Sequence, residues 1–118
     1  MATTPKASLT LMPSGIYRNE EVYNGNLILL EALAVGAVLS RTVADPDTGS
    51  PAPQNGDVYI VSSGSPTPSG DWANQGDNIA VYYDGWKFIP AVDGMTMYCI
   101  DEQSLLLYQS GTGWTVLV

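Results

Sequence analysis

Asn78-Ile79-Ala80-Val81-Tyr82-Tyr83-Asp84-Gly85-Trp86-Lys87-Phe88-Ile89-Pro90 is the stretch on which the fold turns. An apolar, aromatic run meets Asp84-Gly85, and a second apolar run leaves it. Asp-Gly between such runs is a strong hairpin signal, because a type I′ turn needs φ > 0 at both central residues. Gly adopts those angles freely, and Asp tolerates them better than most residues. The flanks carry the β-branched and aromatic side chains that pack on a pleated surface. The reading is a two-stranded hairpin over residues 78–90, with Trp86 directly after the turn.

The neighbouring stretches repeat this grammar. Gly56-Asp57 opens the apolar run Val58-Tyr59-Ile60-Val61 just as Gly76-Asp77 opens the hairpin. Past the Asp93-Gly94 turn, residues 95–100 read as a strand. Asp101-Glu102-Gln103-Ser104 follows as a polar turn. Leu105-Leu106-Leu107-Tyr108, a turn over 109–113 and Trp114-Thr115-Val116-Leu117-Val118 form a closing hairpin, so that the chain stops inside a strand. Residues 37–43 read as a further strand with partial alternation. Residues 44–55 and 62–70, rich in Pro, Gly, Ser and Asp, read as loops. Asp45, Asp47 and Gly49 hint at a calcium loop, yet the sixth and twelfth places from Asp45 hold Ser50 and Gly56. A calcium loop needs Gly and Glu there, so turn chemistry is the better reading. Trp72, just beyond the second loop, either clamps that loop onto the sheet or stands out for a ligand, and the clamp is favoured.

Residues 19–36 hold the one convincing helix, with Asn24 as the expected N-cap, Asn26 as its competitor and Gly36 as the closing residue. Leu27, Leu30 and Ala34 share one face and Leu29 and Leu33 another, leaving Glu31 as the sole charge of the segment. A helix apolar all round is normally buried all round. One small sheet covers one side only, so the spare side is expected to pack against symmetry mates, with Leu27, Leu30, Leu33 and Ala34 as the oligomer interface. Before the helix, residues 1–18 read as an arm, weakly alternating over 7–12, ended by Pro13-Ser14-Gly15, and either frayed or docked on a neighbouring chain.

Composition narrows the function. At 118 residues the chain makes one domain, and only 14% of residues are charged against the roughly 25% usual for soluble domains. That shortfall suggests a surface covered by other copies or other proteins. The net charge of −8 includes only Lys6, Arg18, Arg41 and Lys87 as cations. These form no patch for phosphates or anionic lipid, so no nucleic acid is expected as partner. The longest apolar run, Leu27 to Leu39, is too short for the about 20 residues of a bilayer span, and no signal-peptide pattern opens the chain. The lone Cys99 forms no intrachain disulfide and reads as a buried structural thiol.

The sequence contains no His, which excludes Ser-His-Asp and Cys-His arrangements and zinc sites needing imidazole. Phosphate-cradling Gly motifs are missing, and no cofactor is expected. Paired carboxylates remain. The candidates Asp57, Asp71, Asp77, Asp84, Asp93, Asp101 and Glu102 mostly sit in turn-like dipeptides that explain them without catalysis, so an enzyme is not expected. A binding role has more support. Trp72, Tyr83 and Trp86 lie near strand ends and turns, where aromatic rings beside Asp and Asn grip sugars. The opposing reading is that such rings fill the core of a domain with a single Phe. Strand alternation puts one of Tyr82 and Tyr83 inward and the other outward.

A resemblance joins these pieces. The helix lead Asn19 to Val38 precedes Gly56-Asp57-x-Tyr59-Ile60-Val61, Gly70-x-Trp72, Gly76-x-x-Ile79-Ala80, Asp84-Gly85-Trp86-x-Phe88 and Asp101-Glu102. Over residues 19–118 this order resembles a domain of unknown function common in phage and prophage virion proteins of tail-fibre or host-specificity type. Met95-Thr96-Met97 stands where an aromatic is more usual, and the 44–55 loop is longer than that pattern. The resemblance implies a virion component (fibre, spike, baseplate or decoration), often trimeric. The expectation is therefore an α+β, mainly β fold: antiparallel hairpins in a meander with one N-terminal apolar helix, as an arm (1–18) and a single domain (19–118). Its role would be a homotrimeric virion attachment module with the arm on another virion protein. The alternative is a carbohydrate-binding module for a host surface glycan, and a carboxylate hydrolase is the weakest reading.

Overall fold

The computed structural model describes residues 3–11, 20–43, 53–63 and 67–117. The remainder of the arm, most of the Pro-rich loop with its calcium-like Asp residues, residues 64–66 and Val118 lie outside the described residues. The central hairpin forms from β3 (Ile79–Tyr82) and β4 (Trp86–Ile89). Tyr82 pairs with Trp86, so its loop holds three residues, Tyr83 to Gly85, rather than the two of a type I′ turn. Asp84 and Gly85 do take the positive φ that Asp-Gly supplies, 51° and 130°. β2 (Val58–Ile60) adds antiparallel to β3, giving a sheet ordered β2-β3-β4.

The fold is α+β and mainly β, with one N-terminal helix and seven strands among the described residues. Its strands form two sheets instead of one meander. β1 (Ala37–Val38), β5 (Thr96–Cys99), β6 (Ser104–Gln109) and β7 (Gly113–Val116) make the second sheet, ordered β1-β5-β6-β7. β5, β6 and β7 are antiparallel neighbours, whereas β1 runs parallel to β5, pairing Ala37 with Tyr98 and Val38 with Cys99. The expected strand over 37–43 is short for a physical reason: its two edges serve different sheets. The C=O of Val38 accepts from Ile100 N on one side (2.9 Å). On the other side Leu39 N donates to Val58 O (2.7 Å) and Ser40 O accepts from Ile60 N (3.1 Å). The segment thus stitches the sheets together along one line.

Helix α1 spans Glu20–Val35. It starts one to two turns earlier than an Asn24 or Asn26 cap requires, so both asparagines lie inside it. Gly36 closes it at φ 68°, with its N–H bonded to Ala32 O (3.0 Å), as the sequence predicts. Ile28, Leu29, Ala32 and Leu33 pack on a core built from both sheets, including Val58, Ile60, Ile79, Val81, Met97 and Leu106. At the far edge, Trp114 of β7 turns back to the other sheet, where its Nε1 donates to Asp77 O (2.8 Å).

The described part of the arm, residues 3–11, is not frayed but folds back on its own chain. Thr3 and Thr10 form an isolated bridge, Leu9 is buried, and Ala7 packs against the core. Asn26 makes this possible: its Oδ1 accepts from Thr10 N (3.1 Å) and its Nδ2 donates to Thr10 O (2.7 Å). The side-chain amide mimics a strand edge that a helix otherwise lacks. Net hydrogen bonds contribute about 0.5–1.5 kcal/mol each, so Asn26→Ala should release the arm at a cost of roughly 1–3 kcal/mol. Hydrogen exchange at Thr10 and Leu9 should accelerate strongly while the β3 amides stay protected.

Candidate functional site

Alternation along the central hairpin gives the β2-β3-β4 sheet two different faces. Tyr59, Ala80, Tyr82, Trp86 and Phe88 share the outer face through the pairs Tyr59–Ala80, Ala80–Phe88 and Tyr82–Trp86. The 3-10 turn Gly70–Trp72 lays Trp72 over this face, where it is 0% exposed and packs with Val61 and Ala80. Its ring lies 5.4 Å from Tyr59 and 5.0 Å from Trp86, and Trp86 lies 5.0 Å from Tyr82. Trp72 is therefore the clamp, and its expected role as a ligand contact is corrected. Its Nε1 has no hydrogen-bond partner among the described residues. An unpaired buried N–H costs about 1–3 kcal/mol, whereas burying an indole of roughly 200 Å² contributes on the order of 5 kcal/mol at most. Packing wins, so the clamp holds.

Trp86 remains half-buried on the outer face, while Tyr83 is exposed and belongs to the other side of the sheet. The three expected ligand contacts thus do not converge. Tyr83 instead lines a groove of about 520 Å³ between α1 and the strands. The helix supplies Leu27, Ile28 and Val35, and the strands and their loops supply Leu39, Val58 and Ile100, with Asn24, Glu31 and Asp57 as its polar groups. Leu39, Val35 and Ile100 escape the sequence reading, because only the crossing of helix and sheets brings them together.

Beside the groove lies the outer face of α1. Tyr23, Leu27, Leu30 and Ala34 are all exposed at spacings of three and four residues, which places them on one stripe. Leu27 and Leu30 are 46% and 47% exposed. Leu33 is the exception among the four expected interface residues: it packs against the core from the helix's inner side.

A polar seam closes the opposite end. Arg41 binds Glu102 through two parallel hydrogen bonds, Nε to Oε2 (2.7 Å) and Nη2 to Oε1 (2.9 Å), and its Nη1 donates to Trp114 O (3.0 Å). One guanidinium therefore ties the stitching segment to β7 and to the turn before β6. Cys99 is fully buried and donates from Sγ to Asp101 Oδ1 (3.0 Å). Burial, and then that bond, push its thiol up to about 11, so it stays protonated at neutral pH. Cys99, Asp101 and Glu102 could offer three ligand atoms within 4.8 Å of one another. With Glu102 held by Arg41 and the thiol protonated, the arrangement is a hydrogen-bonded seam. Other acids act as turn acceptors: Asp57 takes Gln54 N (2.9 Å) and Asp93 takes Ser110 N.

Residues 23–115 match the family described as protein of unknown function (DUF2793), and the chain belongs to that family. No curated protein and no solved structure matches it.

The seam carries a pH dependence. The hydrogen bond from Arg41 holds the Glu102 carboxyl below the usual Glu range; desolvation opposes it less strongly, and the charge of Arg41 adds a smaller lowering. A lowered folded value stabilises above the unfolded value and is lost as pH falls through the folded one. Glu102→Gln should therefore lower Tm near neutrality and flatten its fall on acidification, read by thermal melts across the acidic range. The pair is partly exposed, so the loss should be about 1 kcal/mol or less.

Proposed function

Taking that membership as premise, we propose that the chain is a non-enzymatic structural module that assembles as a homotrimer around α1, within a virion attachment structure. One observation carries the reading: an exposed apolar stripe of Tyr23, Leu27, Leu30 and Ala34 on a chain of net charge −8. Copies this acidic repel one another except where they meet at uncharged surface, and this stripe offers such a surface. A closed cyclic arrangement would place the same stripe of each copy at a shared axis. The virion setting rests on the resemblance of motif order, because the family description names no function. Residues 3–11 are already engaged with α1, so the reading leaves them out of the contacts to other virion proteins.

A second reading draws on the outer aromatic face. Tyr59, Tyr82 and Trp86 are half-buried rings backed by Trp72, a platform on which a host glycan ring could stack. Trp86→Ala should then abolish binding on a glycan array without altering the oligomer; a wild-type protein that binds no glycan removes this reading.

Light scattering should give the mass of three chains for the wild type. Leu30→Asp puts a carboxylate on the stripe while sparing the core, and should yield folded monomer in sedimentation. An intact trimer of this variant would sink the axial-helix assembly.

A further inference from the structure

Four pairs in the chain place Gly after Asn or Asp: Asn24-Gly25, Asn55-Gly56, Asp84-Gly85 and Asp93-Gly94. At such pairs the main-chain nitrogen of Gly can attack the side-chain carbonyl carbon before it, because no side chain on Gly hinders the approach. After Asp, the N–Cγ bond forms, a C–O bond breaks, and water leaves with the amide proton. The resulting five-membered succinimide takes up water at either carbonyl, returning Asp or the β-linked isoaspartate. Nothing but water is exchanged, and composition is unchanged.

The fold restrains three of the four pairs. Gly25 lies inside α1, where main-chain amides are committed to the helix. Gly56 N donates to Tyr82 O (2.8 Å), and Asn55 Oδ1 accepts from Asp84 N (2.9 Å). Gly94 N donates to Tyr108 O (3.1 Å), and the Asp93 carboxylate takes Ser110 N. Asp84-Gly85 differs on each count. Among the described residues only the C=O of Gly85 is engaged, by Tyr83 N (2.9 Å), leaving its nitrogen free. The exposed Asp84 carboxylate is held by a single long contact from Asn55 Nδ2 (3.4 Å). The space beside Gly85 is open, with nothing within 4 Å of where a Cβ would stand.

We propose that Asp84 is a site of spontaneous isoaspartate formation, placed by the fold at the tip of the central hairpin. The product inserts one methylene into the main chain between Tyr83, which lines the groove, and Trp86, which lies in the aromatic face. It therefore disturbs the pairing of Tyr82 with Trp86 and couples the two faces of the sheet to the age of the molecule. This inference stands apart from the assembly reading, since it concerns one chain.

The test ages the folded protein at neutral pH and maps isoaspartate in its peptides by methyl transfer from S-adenosylmethionine with an isoaspartyl methyltransferase. Label at Asp84 should accumulate several-fold faster than at Asp93, and the two should accumulate at similar rates in denaturant. Asp84→Glu should lose the label at that position, because the six-membered ring forms far more slowly. Equal rates in the folded protein, or Asp93 leading, would overturn the proposal. So would an unlabelled folded protein over a period in which the denatured chain labels, or the same preference for Asp84 in both states.

Discussion

The backbone hydrogen bonds of residues 36–43 are divided between two sheets, and the rest of the molecule depends on that division. Gly36 O and Val38 O face β5, accepting from Tyr98 N and Ile100 N, while Leu39 N, Ser40 O and Val43 O face the segment 58–62. A buried main-chain group left unpaired costs as much as a lost hydrogen bond. Each partner strand is therefore held in register by a segment only eight residues long. The same segment leaves α1 through the left-handed turn at Gly36, so its pairing also sets where the helix lies across the sheets.

Two packed regions follow from this seam. The larger lies under α1 and draws on both sheets. The smaller lies on the outer face of β2-β3-β4 and is organised by Trp72, which contributes enough burial to outweigh its orphaned N–H. The central sheet is thus covered on both sides, which explains why β3 reads as an unbroken apolar run in place of a clean alternation. Arg41 adds a polar fastening at one end of the seam, reaching Glu102 and Trp114 from positions far apart in the chain.

What stays exposed is as telling as what is buried. The charged residues are few, and one side of α1 and the rim of the adjacent groove present apolar side chains. Isolated exposed apolar residues need no explanation, whereas Tyr23, Leu27 and Leu30 stand exposed together on one helix face, and the proposed assembly rests on that set. Among the described residues, in contrast, Asp57 and Asp93 accept main-chain bonds inside turns, and Asp101 and Glu102 belong to the Arg41 seam.

Local chemistry made much of this legible in advance. Asp84-Gly85, Gly36 and the apolar runs at 58–61, 79–82, 95–100 and 105–108 announce turns, a helix end and strands, because φ preference and side-chain period act over a few residues. The exposed stripe was legible for the same reason, since helical spacing groups Leu27, Leu30 and Ala34 on one face. The side on which Leu33 falls, the burial of Trp72 and the separation of Tyr83 from Trp86 were not. Nor were the parallel pairing of β1 with β5, the reach of Asn26 to Thr10 and the Arg41–Glu102 bridge. Those depend on contacts between residues distant in sequence, and nothing in local periodicity states which distant partner a backbone edge or a guanidinium will meet. Sequence settles which segments are strands, turns and helix; the tertiary structure decides which faces they share, because only packing chooses among partners that local propensity leaves equal.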